Sequence, residues 1–321
     1  MSLKRLGSDV HVCFHWDVQK GEIIMKIKAA IKDYLLEIEI RKYTTRTIKT
    51  YRVKLSIFQR FCEEMDVDDM DDVTMAVIRK FTQKMGENGR KATYINGCLK
   101  TIKSFTQYCY EEGYGGFNTK HNFKWVREDK PVIRALTVED IKLMLKACNG
   151  TDYLSIRDKA IITMLFETGI RCLELCQIKP TDIFDDYIII NGKNRKQRVV
   201  PVTPILKKAM LRYERTRDKY FVYKKTDDYY FLSYRGNQLT NSGMEHLIKS
   251  RGKGIQGVRL SPHTLRHTYS QQQLKMGTSL FTISKILGHS NLRITQVYLD
   301  SLRDEDLIEM TKQQSTLMNL K

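Results

Sequence analysis

No apolar run in this 321-residue chain approaches the ~20 residues that a membrane-spanning helix needs, and no basic amphipathic anchor stands out. The N-terminus lacks the long apolar core of a signal peptide. Cysteines are few, odd in number and scattered, at 13, 62, 98, 109, 148, 172 and 176. That pattern argues against a disulfide framework and for reduced thiols in a cytoplasmic protein. No CxxC or paired histidine offers a zinc site; Cys172 and Cys176 have the i, i+4 spacing of half a site but read as two small core residues. A GxxxxGK[ST] phosphate loop, internal repeats and low-complexity segments are also missing.

What is present is a globular composition, 41% hydrophobic against 29% charged, in a chain long enough for two domains with buried cores. It carries a net charge of +18. Residues 1–130 hold 24 basic and 18 acidic side chains, so +12 of the excess falls after residue 130. A polyanion is the expected partner, and with no membrane feature in sight nucleic acid is favoured over an anionic lipid surface.

Residues 1–24 show no clear period and are read as a leader without assigned role. Residues 25–117 read as a small helical bundle. Ile48, Tyr51, Leu55, Phe58 and Cys62 step by three and four along a helix starting near Thr45, and Ile95, Leu99, Ile102 and Phe105 line one side of another between Ala92 and Glu112. Arg41, Lys42, Arg46, Lys49, Arg52 and Lys54 are mostly turned off the apolar stripe. A solvated face is the ordinary reading of such a set, but the lack of any acid between Arg41 and Arg60 favours phosphate contact equally. Seven carboxylates between Glu63 and Asp72 should face away from a polyanion.

Glycines 113, 115 and 116 close the bundle, and residues 118–133 read as an interdomain linker with Lys124 and Arg127 placed to follow a duplex. The second domain, 134–321, opens on two capping signals, Thr137 with Asp140 and Ser155 with Asp158. Helices near 138–148 and 156–168 follow, the latter stopped by Gly169. Tyr187–Ile190 and Val199–Val202 flank a basic glycine-containing turn and read as a β-hairpin. Thr203-Pro204 and Ser261-Pro262 each open a helix as cap and first residue. The fold class is therefore mainly α with a small β-sheet: an N-terminal helical bundle and a mixed α+β domain.

Chemistry concentrates in the second domain. Pro262-His263-Thr264-Leu265-Arg266-His267 starts a helix on which, at 100° per residue, His263 and Arg266 share a face with His267 at its edge. A guanidinium and imidazoles at a helix N-terminus suit an anion. Leu287-Gly288-His289-Ser290 follows, and Tyr298 comes nine residues after His289. Upstream, Thr168-Gly169-Ile170-Arg171 puts an arginine just past a helix-ending glycine with Glu174 one turn on, and the hairpin tip carries Lys193, Arg195, Lys196 and Arg198.

In order and spacing these motifs resemble the tyrosine recombinase (phage integrase) family from about residue 134 to Tyr298. The bundle resembles that family's SAM-like core-binding domain in architecture. The resemblance implies a site-specific recombinase that cuts and rejoins double-stranded DNA through a 3′-phosphotyrosine. Arg171 and Arg266 would hold the non-bridging oxygens of the scissile phosphate, and His263 and His289 would donate to them or manage the nucleophile's proton. Lys193 would protonate the departing 5′ oxygen, with Arg195 and Lys196 as rivals on the same tip. Glu174 would support the site from beneath, Tyr298 would attack, and His267 reads as a packing or capping residue.

The residue types fit the chemistry on their own terms, because two rigid guanidiniums gather equatorial phosphate charge without a metal. Phosphotyrosine conserves the energy of the broken bond, so no cofactor is expected. Two alternatives share the pattern: a type IB topoisomerase-like nicking-closing enzyme, and an inactive DNA-binding relative. The resemblance further implies a homo-tetramer on DNA, the tail after Tyr298 (Leu307, Met310, Leu317, Met318) docking either on a neighbour or on its own domain. Accessory directionality proteins are possible partners, and the leader is short for an extra arm-binding domain.

Overall fold

The structure is a computed structural model that describes residues 14–17, 22–119, 123–129, 134–192, 196–289, 291–302 and 304–313. The chain divides into two compact units, Met1–Lys130 and Pro131–Lys321.

The first unit starts with a ribbon absent from the sequence reading: β1 (Phe14–Asp17) pairs antiparallel with β2 (Glu22–Met25). Glu22-Ile23-Ile24-Met25 carries no polar–apolar alternation to mark it as a strand. Four helices follow: α1 (Ile27–Ile40), α2 (Thr45–Glu64), α3 (Met75–Glu87) and α4 (Ala92–Glu111). α2 begins where Thr44 accepts a hydrogen bond from the Thr47 N–H and so satisfies one orphan donor of the first turn. Its stripe sinks into the core as expected: Leu55, Phe58 and Cys62 are buried, and Ile48 and Tyr51 pack at the margin. Ile95, Leu99, Ile102 and Phe105 of α4 meet them.

The stretch read as a linker from residue 118 departs from that expectation, because its described part is docked on the bundle. Thr119 bonds to Gln107 through both its N–H and its hydroxyl, and Phe123 enters the core. The Asn96 amide donates to the Val126 carbonyl at 2.8 Å and accepts from the Val126 N–H at 2.9 Å. An amide side chain can pair with a peptide in this way wherever the chain passes an exposed helix, and a polar composition gives no hint of it.

The second unit is built round α6 (Tyr153–Thr168), which packs against α5 (Val138–Lys146), α8 (Pro204–Phe221) and α10 (Pro262–Lys275). α6 is buried on nearly every side, polar residues such as Arg157 and Thr168 included, as befits a helix enclosed by others. Thr137 and Asp140 form the expected capping box on α5. The second expected cap is displaced: Asp152, not Ser155, caps α6, and Asp158 is buried inside the helix between Arg157 and Arg251. α7 (Cys172–Gln177), the antiparallel hairpin of β3 (Tyr187–Asn191) and β4 (Gln197–Pro201), α9 (Asn241–Arg251), α11 (Leu280–Leu287), α12 (Arg293–Leu299) and α13 (Asp304–Gln313) complete the unit. Thr203 and Ser261 cap α8 and α10 as read from the sequence.

A separate small core gathers Tyr269, Leu274, Ile283, Leu287, Tyr298 and Leu302, with Met310 of α13 against it. Lys275 pairs with Asp306 at 2.7 Å. The described part of the tail therefore packs on its own domain; Leu307 remains 40% exposed, and Leu317 and Met318 lie outside the described residues.

Candidate active site

Two glycine turns and one β-strand assemble the site. α6 ends at Gly169, which has φ +59°, a left-handed conformation that L side chains rarely adopt. Space gives a second reason for glycine, since a Cβ here would lie 2.3 Å from Tyr269 Cδ1 and 2.9 Å from Leu287 Cδ2. α11 ends in the same way at Gly288, φ +66°, where a Cβ would meet Arg198 Cδ at 3.0 Å. The residues that follow these stops, Arg171 and His289, are thereby brought to one place.

The turns supply main-chain acceptors to the arginines. Arg266, 4% exposed on α10, donates from Nη1 to the Gly169 carbonyl at 2.7 Å and from Nη2 to the Leu287 carbonyl at 2.9 Å. Arg171 donates from Nη2 to the Gly288 carbonyl at 3.2 Å and from Nη1 to Glu174 Oε1 at 2.8 Å. Burial, with Arg171 alongside, draws the Arg266 guanidinium down to about 10, so it stays charged at neutral pH.

Glu174 is 7% exposed, not a surface residue of its helix. It accepts the Arg171 N–H at 2.9 Å, the Arg171 side chain, and a two-pronged contact from Arg198 at 3.0 and 2.7 Å. Burial alone would raise its carboxyl, but Arg198 and then Arg171 hold it below its ordinary value.

His289 Nε2 lies 2.8 Å from Arg266 Nη2 and Nδ1 lies 2.8 Å from Thr295 Oγ1. A guanidinium has no acceptor, so Nε2 accepts, and the ring proton sits on Nδ1 and is donated to Thr295. Burial and the charges of Arg266, Arg171 and Arg198 bring His289 down to about 4, and it is neutral at pH 7. Thr295 stands one turn before Tyr298 on α12, so the same imidazole holds the tyrosine's helix. The Tyr298 ring is 6.3 Å from His289 and 5.2 Å from His267 between centroids, and the residue is 4% exposed. Its hydroxyl has no hydrogen-bond partner among the described residues.

His267 packs between Tyr298 and His263, whose ring is 6.5 Å away. Its buried Nδ1 has no partner among the described residues, and burial lowers its pKa to about 4. His263 itself is exposed at the second residue of α10 and shares none of the Arg266 hydrogen bonds. Lys193, like Arg195, lies outside the described residues; the tip that carries it leaves β3 at Gly192, where a Cβ would be 3.9 Å from both Glu174 Oε1 and Arg198 Nη1.

The structure thus brings together Arg171, Glu174, Arg266, His289 and Tyr298. It adds Arg198, to which the sequence reading gave no role. The signal for it was register: on β4, Arg198 is two residues from the fully buried Val200 and so points to the same face. Among the described residues no group of His, Cys, Asp or Glu could hold a metal ion, and Cys172 and Cys176 are buried core residues. No helix among the described residues is long and apolar enough to cross a membrane.

The proposed DNA-facing cations of the first unit are spread over several surroundings. Lys42, Arg46, Lys49 and Arg52 are exposed around the start of α2, as are Lys124 and Arg127 in the docked segment. Arg41 pairs with Glu37 at 2.5 Å, and Lys54 is half-buried with Nζ on the Gly97 carbonyl at 2.8 Å. Lys54 therefore serves the α2–α4 contact, and a short apolar-to-basic alternation did not reveal that a helix backbone was within its reach.

Known proteins resemble this chain in sequence and in fold. Residues 134–305, more than half of the chain, match the phage integrase family, and residues 31–113 match its N-terminal SAM-like domain. The tyrosine recombinase XerC of Thermodesulfovibrio yellowstonii is 30% identical over 84% of this chain and 90% of its own. A XerH site-specific recombinase bound to its palindromic difH substrate after cleavage has a TM-score of 0.69 at 18% identity, covering 87% of this chain and 82% of that one. A lambda integrase tetramer on a Holliday junction has a TM-score of 0.66 at 17% identity, covering 83% and 78%. By the match over residues 134–305 and the 30% identity to XerC, the chain belongs to the phage integrase family of tyrosine recombinases, enzymes of site-specific DNA breakage and rejoining.

Proposed function

We propose that Tyr298 is the nucleophile of this recombinase and that Arg171 and Arg266 bind the non-bridging oxygens of the scissile phosphate. The observation that carries this reading is the arrangement of both guanidiniums on the carbonyls of two glycine turns, with His289 bonded to one of them and to the tyrosine's helix. Rigid donors of this kind cost no reorganisation as negative charge gathers on the phosphoryl oxygens. His289, neutral with its proton on Nδ1, would take the phenolic proton at Nε2 once that nitrogen leaves Arg266, and the exposed His263 would donate to those oxygens or carry the same proton. Lys193 is assigned the protonation of the 5′ leaving oxygen. Attack forms the Tyr298–phosphorus bond and releases the 5′ hydroxyl; a hydroxyl from a partner strand then reverses the step.

Because Tyr298 is buried in the C-terminal cluster, it must be uncovered when DNA binds. On DNA the protein is assigned a homo-tetramer in which the residues after Tyr298 leave the domain they pack on here and enter the assembly contact, with accessory proteins directing the outcome. Lys42, Arg46, Lys49, Arg52, Lys124 and Arg127 would contact phosphates from the first unit.

The test is adduct formation on nicked duplexes, first selected from a randomised pool by covalent capture so that the target sequence need not be assumed. Wild-type protein should give a detergent-resistant adduct whose labelled peptide contains Tyr298. Tyr298→Phe should give none while still binding duplex. Attachment through another residue would overturn the assignment.

A further inference from the structure

Arg198 lies at the meeting point of three parts of the site. From β4 its Nη1 and Nη2 grip both oxygens of the buried Glu174, at 3.0 and 2.7 Å, and its Nε donates to the Ile286 carbonyl in the last turn of α11 at 2.6 Å. Its side chain is 12% exposed, and its stem fills the space beside Gly288, where a Cβ would lie 3.0 Å from Cδ and 3.2 Å from Nε. The strand that carries the hairpin tip, the helix that follows Arg171 and the turn that presents His289 thus share one guanidinium.

The charges make this more than a structural tie. Glu174 Oε1 accepts from Arg171 and from Arg198 at once. Without Arg198, the carboxylate would have Arg171 as its one remaining cation, and a carboxylate held by a single guanidinium competes directly with phosphate for its donors. With it, one carboxylate stands against three guanidiniums and two positive charges are left over. Arg198 itself commits all three of its nitrogens to the carboxylate and a carbonyl and is only 12% exposed, so the surplus resides on Arg171 and Arg266. Lysine could supply the charge but not the fork and the third bond.

We propose that Arg198 is a positioning residue of the strand-cleavage reaction: it neutralises Glu174 so that Arg171 is released to the phosphate, and it locks the hairpin strand to the His289 turn. This rests on the assignment of Arg171 and Tyr298 above and adds a residue that acts on phosphate only through them.

The experiment compares Arg198→Met, Arg198→Lys, Glu174→Gln and the Arg198→Met/Glu174→Gln pair in the full chain. It measures single-turnover adduct formation on the selected nicked duplex, duplex affinity and thermal midpoint. Arg198→Met should slow adduct formation on the order of 100-fold, a loss comparable to that of one transition-state donor, while duplex affinity changes less than about threefold. Arg198→Lys, which keeps the charge, should fall between. Removing the carboxylate charge should restore at least tenfold, so the double variant is faster than Arg198→Met.

A double variant no faster than Arg198→Met, or an Arg198→Met protein that cleaves at the wild-type rate, would overturn the proposal. Arg198→Lys keeps the proposal testable if the methionine variant fails to fold: a rate equal to wild type would refute the need for the fork. Failure of the underlying assignment reads differently, as an adduct that persists in Tyr298→Phe.

Discussion

Replacing Gly169 by alanine should injure both stability and cleavage, and the size of the first effect follows from two terms. A non-glycine residue at φ +59° costs about 1–2 kcal/mol. The added methyl must also displace Tyr269 or Leu287, whose side-chain carbons would be 2.3 and 2.9 Å away, and overpacking of that kind costs about 1–3 kcal/mol. A central figure of about 3 kcal/mol corresponds, in a unit of this length, to a fall of about 6–12 °C in melting temperature. The Gly169 carbonyl anchors Arg266 and its chain leads directly to Arg171, so adduct formation should fall as well, even at temperatures where the variant is folded. Differential scanning calorimetry supplies the first readout and the nicked-duplex assay the second. Gly86→Ala is the matched control: it sits exposed in α3 with nothing within 4 Å of a new Cβ, and should stabilise by up to about 1 kcal/mol. A Gly169→Ala protein that melts within about 2 °C of wild type, the order of 1 kcal/mol or less, would refute the steric reasoning.

Two further outcomes are expected. If about ten phosphates are neutralised, a log–log plot of duplex affinity against salt should have a slope near about −9; an affinity insensitive to salt would remove phosphate contact as the main source of binding. His267 and His289 both titrate in the folded protein near 4, below the ordinary value of 6.5, so the unfolded chain binds more protons between those limits. Their contribution to stability is complete above pH 6.5 and is lost as pH falls toward 4. The melting temperature should drop across that window, less steeply in His267→Gln; an identical slope in that variant would show that His267 does not contribute.

Much of the fold was legible because its signals are local. The α2 and α4 stripes, the Thr137 box and the Thr203-Pro204 and Ser261-Pro262 openings each depend on residues within one turn of each other. What escaped depends on partners distant in sequence. Ser155 and Asp158 have the spacing of a cap, yet Asp158 is drawn into the core by Arg251, 93 residues away. The polar segment after residue 118 reads as a linker because the pairing of Asn96 with Val126 cannot be seen in either residue alone. Of the site, Arg171, Glu174, Arg266, His289 and Tyr298 could be named from motif spacing. Arg198 could not, since a basic hairpin reads as uniformly solvated until the strand register turns one of its cations inward.

The acceptors that hold Arg171 and Arg266 include the peptide oxygens of residues 169, 287 and 288. An oxygen of the backbone survives any exchange of its own side chain that leaves the chain path intact. Lineages of this enzyme can therefore vary Ile170 or Leu287 in volume without deleting an anchor, whereas a change of path at either helix stop detaches a guanidinium outright. Genetic screens for inactive alleles should accordingly concentrate at the two stops, and second-site revertants should be those that reopen room around Tyr269 and Arg198.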